Sequence, residues 1–371
     1  QALIKSIDKS IKTRNWQAGE EAERFEKELS KYLGVKHAVL TTSGSCAALL
    51  AFSALELPKG SEVIISAVTF PTIFNIILQC GLVPVVVDAK IGTYGFAIED
   101  VEKAITDKTR AIIAIHPLGN PVDMPALMEL VKNKNIYVIE DSCDAWGSSI
   151  SGKQVGSFGD ISFTSFHAAH IISMGVGGGV FTDDPELAKK VRMYRDWGRL
   201  ATTKEPHNVD LLPKDYPPRF VYEKIGYNFQ ILDLQAAMGR VQLRKINQIK
   251  KARKKNFLYL YDKLYRNEFI MPDWEDNEDI CWFAFPITYS GDRGKLTSHL
   301  EKNGIETRSM FAGNITKHPA YKDSEYRISG ELKGADYILE HSFWVSCHDS
   351  LTKEDLEYMV KVFDEFFDGK S

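Results

Sequence analysis

Short apolar segments alternate with amphipathic segments between residues 62 and 141 of the chain. The apolar segments are rich in β-branched residues and include EVIIS, VPVVVD, RAIIAI and YVIED, whereas IEDVEKAI and MPALMELVK are typical of the amphipathic segments that separate them. Strands that are apolar on both faces belong to parallel sheets covered by helices. The pattern therefore predicts an α/β fold with a mostly parallel central sheet.

The pattern changes near residue 262. Helical periodicity extends over residues 185–193 and 232–262, and shorter strands then mix with helices in segments such as DICWFAFPITY and DLEYMVKVFDEFF. We therefore expect a large α/β domain at residues 1–262, which includes an N-terminal arm, and a small C-terminal α+β domain at residues 263–371.

Composition narrows the classes of protein to which the chain can belong. Of its 371 residues, 44% are hydrophobic and 26% are charged, as in soluble globular proteins. Lys and Arg total 46 against 50 for Asp and Glu, so the net charge of −4 gives no basic excess for binding nucleic acid or an anionic membrane. No apolar run approaches the roughly 18 residues of a membrane span, and the segment QALIKSIDKSIKTRNW lacks the apolar centre of a signal peptide. We expect a cytoplasmic protein.

The cysteines show no ligand spacing. Cys46, Cys80, Cys143, Cys281 and Cys347 are scattered, with neither a CxxC pair nor a Cys/His cluster. We expect reduced thiols and no metal cluster.

A possible anion site begins the segment TTSGSCAALLAFSAL. Gly44 and Ser45 open a predicted helix, whose first backbone N–H groups, with the Ser45 hydroxyl, could hold a phosphate. On this segment alone, a simple helix N-cap is the commoner explanation of Ser-Gly-Ser.

A second candidate is the segment YVIEDSCDAWG, which brings Glu140, Asp141 and Asp144 to the carboxyl end of a buried strand. Ligands of open α/β sheets bind at such ends. A buried carboxylate needs a partner, and a protonated pyridine nitrogen is one candidate. A metal ion or a helix cap would serve equally well on this segment alone.

A third candidate is GSFGDISFTSFHAAHIISMGVGGGVFTDD, a strand and turn with Ser165, His167 and His170. The glycines that follow, at position 175 and positions 177–179, allow a ligand or another segment to approach the main chain closely. Two histidines beside these glycines indicate a functional turn, and zinc binding stays open at this point.

In this order and at these spacings, the segments resemble the sugar-nucleotide aminotransferase (DegT/StrS-type) family, whose members are pyridoxal-phosphate proteins with the type I, aspartate aminotransferase, fold. The resemblance covers essentially the whole chain and is carried by SGS, SAVTFPTIFNIILQCGLVPVVVD, LGNP, EDSCDAWG, GSFGDISFTSFH, RDWGR, GYNFQILDLQAA and FAGN. It implies a mostly parallel central sheet and a smaller α+β C-terminal domain.

The resemblance also implies contacts to the cofactor ring. Asp141 would pair with the pyridine nitrogen, Asp144 would lie near the ring hydroxyl, and Phe70 would stack on the ring. An ionised Asp beside the pyridine nitrogen keeps the ring electron-poor.

Further implied contacts are to the cofactor phosphate. Gly44, Ser45 and Ser165 would bind it, and Asn228 would reach it from the other subunit of a homodimer.

The match breaks at His170. Aminotransferases of this family read Ser-Phe-His-x-x-Lys at this turn, and the lysine bonds covalently to the cofactor, but the sixth position here is His170. A His at this position with a following Met-Gly-x-Gly-Gly is similar to the 3-dehydratases of 3,6-dideoxyhexose biosynthesis, which act on CDP-4-keto-6-deoxyglucose or GDP-4-keto-6-deoxymannose. The resemblance thus implies pyridoxamine-phosphate-dependent removal of the C3 hydroxyl from a nucleotide-linked 4-keto-6-deoxy sugar, with His170 as the base.

Across RDWGR, GYNFQILDLQAA, RSMFAGN and HSFW the chain looks closer to the CDP-sugar enzyme, with one departure. That enzyme has cysteines for an iron–sulfur cluster just after RDWGR, whereas this chain reads LATTKEPHNVDLLPKDYPPRF. Because such a cluster generally needs four thiolates, we expect no iron–sulfur cluster and no partner reductase. Glutamate would then restore the pyridoxamine form. Val176 also replaces a usual Glu, with no consequence that the sequence indicates.

Two alternatives stay open at this level. The chain could be an aminotransferase whose lysine is replaced, naturally or by engineering, or a non-catalytic sensor of a cofactor or sugar nucleotide. The segment IISMG matches the dehydratases beyond the single His and weighs against the aminotransferase. By the same resemblance, the presence of Asp141, Ser165 and Asn228 weighs against a non-catalytic sensor. His167 and Arg308 are candidates for contacts to the substrate, although a solvated salt bridge would explain Arg308 equally well.

Overall fold

The structure is a computed structural model that describes residues 16–200, 210–213 and 215–369, together with residues 4, 7, 8, 11 and 12. Most of the predicted N-terminal arm, and much of the segment in which we expect no iron–sulfur ligands, lie outside the described residues. The chain divides into two units, Gln1–Leu57 with Asp160–Arg244 and Pro58–Gly159 with Lys245–Ser371. This division does not test the predicted boundary at residue 262, which stays a prediction.

The sheets of the described residues are built from short strands. The strands are β1 (His37–Thr41), β2 (Glu62–Ser66), β3 (Val83–Val87), β4 (Thr109–Ile115), β5 (Tyr137–Asp141), β6 (Ser149–Ile150), β7 (Lys153–Gln154), β8 (Ile161–Ser165), β9 (Gly178–Thr182), β10 (Phe269–Ile270), β11 (Glu278–Asp279), β12 (Ala284–Tyr289), β13 (Thr307–Ser309), β14 (Arg327–Ile328) and β15 (Ser342–Ser346). The α-helices are α1 (Glu20–Leu33), α2 (Gly44–Leu55), α3 (Pro71–Gln79), α4 (Ile98–Ala104), α5 (Met124–Val131), α6 (Pro185–Arg195), α7 (Asp233–Leu243), α8 (Ile246–Leu264), α9 (Arg293–Lys302), α10 (Lys333–His341) and α11 (Lys353–Asp368). None of these helices is long and apolar enough to cross a lipid bilayer.

The first unit, which contains residues 16–57 and 160–244, is built on three antiparallel strands. β9 pairs with β1 on one side and with β8 on the other, so that Gly178 lies opposite both Thr41 and Ser165. Helix α2 contacts β8, β9 and α6, and its sequence GSCAALLAFSAL has no charged residue, which allows burial on several faces. The unit thus brings the start of α2 to the end of β8.

The second unit contains the parallel strands predicted from the sequence. Their order is β5-β4-β2-β3-β14, and every neighbouring pair is parallel. Ile64, Val85, Ile112 and Val138 are completely buried in this sheet, against helices α4 and α5. The predicted α/β class with a mainly parallel sheet is confirmed.

A four-stranded antiparallel sheet, in the order β10-β12-β15-β13, forms the other core of the second unit. Helices α8, α9 and α11 contribute apolar side chains to this core. The rings of Phe257 and Trp282 stack at its centre with a centroid distance of 3.7 Å. The mixture of short strands and helices expected after residue 262 is present here.

Helix α1 begins with a cap from a distant residue. Its N-cap is Gly19, which has no side chain to accept a hydrogen bond. The carboxylate of Asp233, at the start of α7, accepts hydrogen bonds from the backbone N–H groups of Gly19 and Ala22, both at 2.9 Å. Because Asp233 is buried, it joins the starts of the two helices in a site from which water is largely excluded.

We expect the Asp233→Ala substitution to lower the free energy of unfolding by about 1–2 kcal/mol, because two N–H groups lose their acceptor. Asp233→Asn keeps an acceptor oxygen and is expected to cost less. Urea unfolding followed by circular dichroism measures both, with the exposed Asp276→Ala as the control. Equal losses for Asp233→Ala and Asp276→Ala would contradict the capping role.

Candidate active site

The start of α2 lies against the end of β8 in the first unit, and glycines make the approach possible. A Cβ atom on Gly44 would lie 2.6 Å from the Cβ of Ser165. A Cβ atom on Gly178 would lie 2.3 Å from the carbonyl oxygen of Ser43. Both distances are shorter than real Cβ contacts, so only glycine fits at these positions. The result is a cradle of main chain around the first turn of α2.

The cradle suits an anion. Ser43 caps the helix by accepting a hydrogen bond from the Cys46 N–H at 3.0 Å, and the first turn contains no acidic residue. The side chain of Ser45 is exposed. Ser165 is 9% exposed, and its Oγ accepts from the His167 N–H at 3.2 Å, which leaves its hydroxyl hydrogen to donate. The positive end of the helix dipole favours a phosphate at this place.

The turn with the two histidines is anchored at its base. The Phe166 N–H donates to the Gly177 carbonyl at 2.8 Å, and the Met174 N–H donates to the Phe166 carbonyl at 2.9 Å. The His170 N–H donates to the His167 carbonyl at 3.0 Å, and the two rings are nearly perpendicular at a centroid distance of 6.4 Å. The side chains of Ile171, Ile172 and Met174 are buried. The backbone at His170 is therefore held from both sides, while its imidazole is half-buried.

Glu140 has a structural role that the sequence did not indicate. Its carboxylate is fully buried and accepts from the backbone N–H groups of Gly156, Phe158 and Gly159 at 2.7–2.8 Å. The His116 Nδ1 accepts from the Val122 N–H at 3.1 Å, so the proton is assigned to Nε2, which lies 3.4 Å from Glu140. These contacts fix the loop that precedes β8.

Asp141 and Asp144 are buried carboxyl groups in the second unit, 8% and 7% exposed. Burial raises the pKa of Asp141, against the hydrogen bond that its carboxylate accepts from the Cys143 N–H at 3.1 Å. Burial, with the negative charge of Asp141, raises the pKa of Asp144 to about 7, against a hydrogen bond from the backbone of Leu118. A cation beside Asp141 would relieve this cost, and a protonated pyridine nitrogen is such a cation. Taken separately, the cradle of the first unit suits the phosphate of a pyridoxal cofactor, and Asp141 in the second unit suits its protonated ring nitrogen.

Four other predicted site residues, among them His167, are exposed. Phe70 precedes α3 and is 56% exposed. Asn228 is exposed and forms an isolated antiparallel bridge with Asp196. Arg308 pairs with Glu306 and also donates to the Thr307 carbonyl at 2.9 Å, which is the solvated ion pair that the sequence left open. The cofactor and substrate roles assigned to Phe70, Asn228, Arg308 and the exposed His167 stay predictions.

Val176, the unusual residue beside the histidine turn, is 52% exposed, and its carbonyl accepts from Gln235 Nε2 at 2.8 Å. This contact involves the main chain of Val176 and not its side chain, so the replacement of the usual Glu by Val at this position has no explanation in the structure. Among the described residues, no group of three or more His, Cys, Asp or Glu side chains could hold a metal ion.

Comparisons with known proteins point to one family. The family model of the "DegT/DnrJ/EryC1/StrS aminotransferase family" matches residues 1–364. The chain is 40% identical over 367 residues to the lipopolysaccharide biosynthesis protein RfbH of Salmonella typhimurium, covering 92% of this chain and 84% of that protein. It is 38% identical over 372 residues to the dTDP-4-dehydro-2,6-dideoxy-D-glucose 3-dehydratase of Saccharopolyspora spinosa, covering 94% and 80%.

A solved structure confirms the predicted fold. The GDP-4-keto-6-deoxy-D-mannose-3-dehydratase of E. coli with bound hydrated PLP superposes with a TM-score of 0.89 at 28% identity, over 98% of this chain and 96% of that chain. The fold of the chain is therefore that of the pyridoxal-phosphate-dependent transferases.

The raised pKa of Asp144 predicts that this group makes the protein without cofactor less stable as the pH rises. Between the ordinary value of 3.8 and about 7, Asp144 keeps a proton in the folded state that it has released in the unfolded state, so its contribution to the free energy of unfolding falls with increasing pH. Asp144→Asn cannot ionise, and we expect it to remove up to about 4 kcal/mol of this decline. Urea unfolding at several pH values across this window measures the effect. The same decline in wild type and variant would contradict the assignment, and Asp276→Asn controls for surface charge.

Proposed function

Because this chain belongs to the DegT/DnrJ/EryC1/StrS aminotransferase family of pyridoxal-phosphate-dependent sugar-nucleotide enzymes, we propose that it is a C3 dehydratase. Its substrate would be a nucleotide-linked 4-keto-6-deoxy sugar, and its product would enter 3,6-dideoxy sugar biosynthesis for a lipopolysaccharide or a natural-product glycan. Two of the relatives described above are named as 3-dehydratases of such sugars, which supports the proposal.

The observation that carries the proposal is His170, which occupies the position of the cofactor-binding lysine in aminotransferases of this family. Without this lysine, the cofactor would be held by non-covalent contacts alone. The backbone of His170 is anchored and its ring is half-buried, which suits a side chain that would exchange protons from one fixed position.

The cofactor contacts proposed for the chain follow the chemistry of its residues. Asp141 would bind the ring nitrogen, Asp144 would lie near the ring hydroxyl, and Phe70 would stack on the ring. The raised pKa of Asp141 supports its assignment, because a bound cation would offset the cost of burying its charge. The raised pKa of Asp144 supports a contact with the ring oxygen, because a protonated carboxyl group has a hydrogen to donate.

The phosphate would be bound in the cradle, by Gly44, Ser45 and Ser165, with Asn228 from the other subunit of a homodimer. The absence of acidic residues from the first turn of α2 supports a bound anion. His167 and Arg308 remain candidates for contacts to the sugar nucleotide, and Arg308 would first have to leave Glu306.

When bound, pyridoxamine phosphate supplies an amine that reacts with the C4 ketone of the sugar and a ring that withdraws electrons from the bonds nearby. An ionised Asp141 stabilises the protonated ring nitrogen and so maintains this withdrawal. His170 would take a proton from the C4′ carbon of the bound cofactor, because an imidazole exchanges protons readily near neutral pH. The protonated His170 would then donate this proton to the C3 hydroxyl of the sugar, which would leave as water.

We further propose that glutamate restores the amine of the cofactor after each turnover. Glutamate would thereby supply the two electrons of the deoxygenation and be oxidised to 2-oxoglutarate, while water releases the nitrogen from the sugar as ammonia, so that no separate reductase takes part. The support is the lack of cysteine in the segment after RDWGR, where related enzymes would hold iron–sulfur ligands. The alternative function is an aminotransferase that has lost its lysine, which the description of the family favours. A non-catalytic sensor of the same ligands is the other.

The identity of the product tests the proposal. We expect the protein loaded with pyridoxamine phosphate to convert at least one of the CDP-, GDP- and dTDP-linked 4-keto-6-deoxy sugars, with glutamate and without a reductase. Mass spectrometry should find a 3-deoxy-4-keto sugar, and an ammonia assay should find one ammonia per sugar.

A 4-amino sugar that retains its C3 hydroxyl would instead establish the aminotransferase. Binding without any product across these substrates would favour the sensor. A single turnover that resumes only when an electron donor is added would show that a reductant takes part.

We expect His170→Asn to lower turnover by about a hundred- to ten-thousandfold, which is the usual contribution of a general acid–base group. Binding of the cofactor and of the sugar nucleotide should persist, because Asn fills much of the same space. Steady-state kinetics and calorimetric titration measure the two properties. The control is His37→Asn, a substitution in β1 of the same unit. Turnover of His170→Asn within tenfold of that control would remove His170 from the chemistry.

A further inference from the structure

The segment that contains Asn228 is fastened to a second segment of the first unit by backbone hydrogen bonds. The Trp197 N–H donates to the Tyr227 carbonyl at 2.6 Å, and the Tyr227 N–H donates to the Tyr194 carbonyl at 2.7 Å. The Phe229 N–H donates to the Arg195 carbonyl at 3.1 Å. Both neighbours of Asn228 are therefore hydrogen-bonded to residues 194–197. We call residues 194–198 the clamp segment.

Two glycines allow these segments to come this close. A Cβ atom on Gly198 would lie 1.7 Å from the Lys224 carbonyl oxygen. A Cβ atom on Gly226 would lie 2.1 Å from the Gly198 nitrogen and 2.6 Å from the Trp197 carbonyl carbon. Main chain meets main chain at both points, so no flexible side chain can move aside to admit a larger residue.

The clamp segment is itself fixed to the strand that precedes α2. The guanidinium of Arg195 binds Asp196 through Nε and Nη2, at 2.9 and 3.1 Å, and donates from Nη1 to the Leu40 carbonyl at 3.2 Å. The hydroxyl of Thr41, at the end of β1, donates to the Phe229 carbonyl at 3.1 Å. The cradle at α2 begins two residues after Thr41, so the clamp and the cradle share one support.

The clamp also orients Asn228. The rings of Tyr227 and Phe229 stack with a centroid distance of 4.8 Å and an interplanar angle of 2°. Side chains of residues i and i+2 share one face of an extended segment, and the residue between them points to the opposite face. The stacked rings thus direct the exposed Asn228 away from themselves.

We infer that the clamp segment and Gly226 position Asn228 to bind the phosphate of the cofactor held by the other subunit of the homodimer, so that Gly198 and Gly226 are positioning residues of that active site. This inference rests on the proposed role of Asn228 in cofactor binding. It assigns a purpose to the motif RDWGR, whose residues make no other contribution to the proposed chemistry.

The test compares pyridoxal 5′-phosphate with pyridoxal, which lacks the phosphate, as ligands of the full-length apoprotein in calorimetric titrations. For Gly226→Ala we expect the affinity for pyridoxal 5′-phosphate to fall about tenfold or more, because a hydrogen bond to a charged group is misplaced, and the affinity for pyridoxal to stay unchanged. General loosening of the structure would lower both affinities together.

A double-mutant cycle with Asn228→Ala adds a second criterion. If Gly226 acts through Asn228, the double variant should bind pyridoxal 5′-phosphate no more weakly than Asn228→Ala alone. Additive losses would overturn the inference, as would equal losses for the two ligands.

Gly198→Ala needs a matched control, because its φ of 78° already strains a residue with a side chain. Gly34 has a φ of 80°, and no atom lies within 4 Å of the place that a Cβ atom would take there, so Gly34→Ala has the strain without the collision. We expect Gly198→Ala to bind pyridoxal 5′-phosphate more weakly while its affinity for pyridoxal is unchanged. Gly34→Ala should keep the wild-type ratio of the two affinities. The same behaviour in both variants would overturn the inference.

Thr41→Val is a milder variant in case the alanine substitutions prevent folding. It removes the hydrogen bond to Phe229 while preserving shape, and we expect a two- to tenfold loss, about the contribution of one neutral hydrogen bond, for pyridoxal 5′-phosphate only. An unchanged affinity of Thr41→Val for pyridoxal 5′-phosphate would overturn the inference that the clamp segment positions Asn228. If Asn228→Ala itself has no effect, the assigned role of Asn228 fails and the clamp inference with it, whereas the dehydratase proposal still stands or falls by the product of the reaction.

Discussion

In the first unit, main-chain segments approach one another more closely than a Cβ atom would allow, and glycine is the one residue that permits this. Gly44 and Gly178 bring the start of α2 against β8, and Gly198 and Gly226 bring two loops together. Backbone N–H groups and carbonyls are shorter and stiffer than side chains, so an arrangement built from them is fixed before any ligand arrives. An anion that binds there does not have to order flexible side chains, and this lowers the entropic cost of binding.

The second unit relies on a different physical principle, the burial of carboxyl groups. The side-chain oxygens of Glu140 accept hydrogen bonds from three backbone N–H groups and so hold a loop in place. Asp141, the next residue, points to the other face of β5 and has fewer compensating contacts, so burial raises its pKa. The adjacent residues Glu140 and Asp141 thus differ in role because the backbone donates three hydrogen bonds to Glu140, whereas Asp141 has fewer donors around it.

Much of the fold could be predicted from local pattern. The segments EVIIS and YVIED are strands β2 and β5, because β-branched residues that are apolar on both faces suit a buried parallel sheet. Candidate residues such as Ser165 and His170 were also found from the sequence, because glycines and polar residues at a strand end are local signals. The cap of α1 by Asp233 could not be found in this way, since the two partners are separated by 211 residues or more. The same holds for the bonds of Glu140 and for the raised pKa of Asp144, which depend on what surrounds each group in space.

The anchored loop at His170 has a consequence for stereochemistry. Buried side chains at Ile171, Ile172 and Met174 and hydrogen bonds at Phe166 leave the imidazole only its own two side-chain torsions with which to move. As the proposed base, an imidazole restricted in this way would reach only one face of a planar reaction centre. In the proposed reaction, an epimer of the sugar whose C3 oxygen points to the opposite face could bind through the same contacts but would not lose that oxygen. The loop would thus select the configuration at C3 without contacting C3 itself.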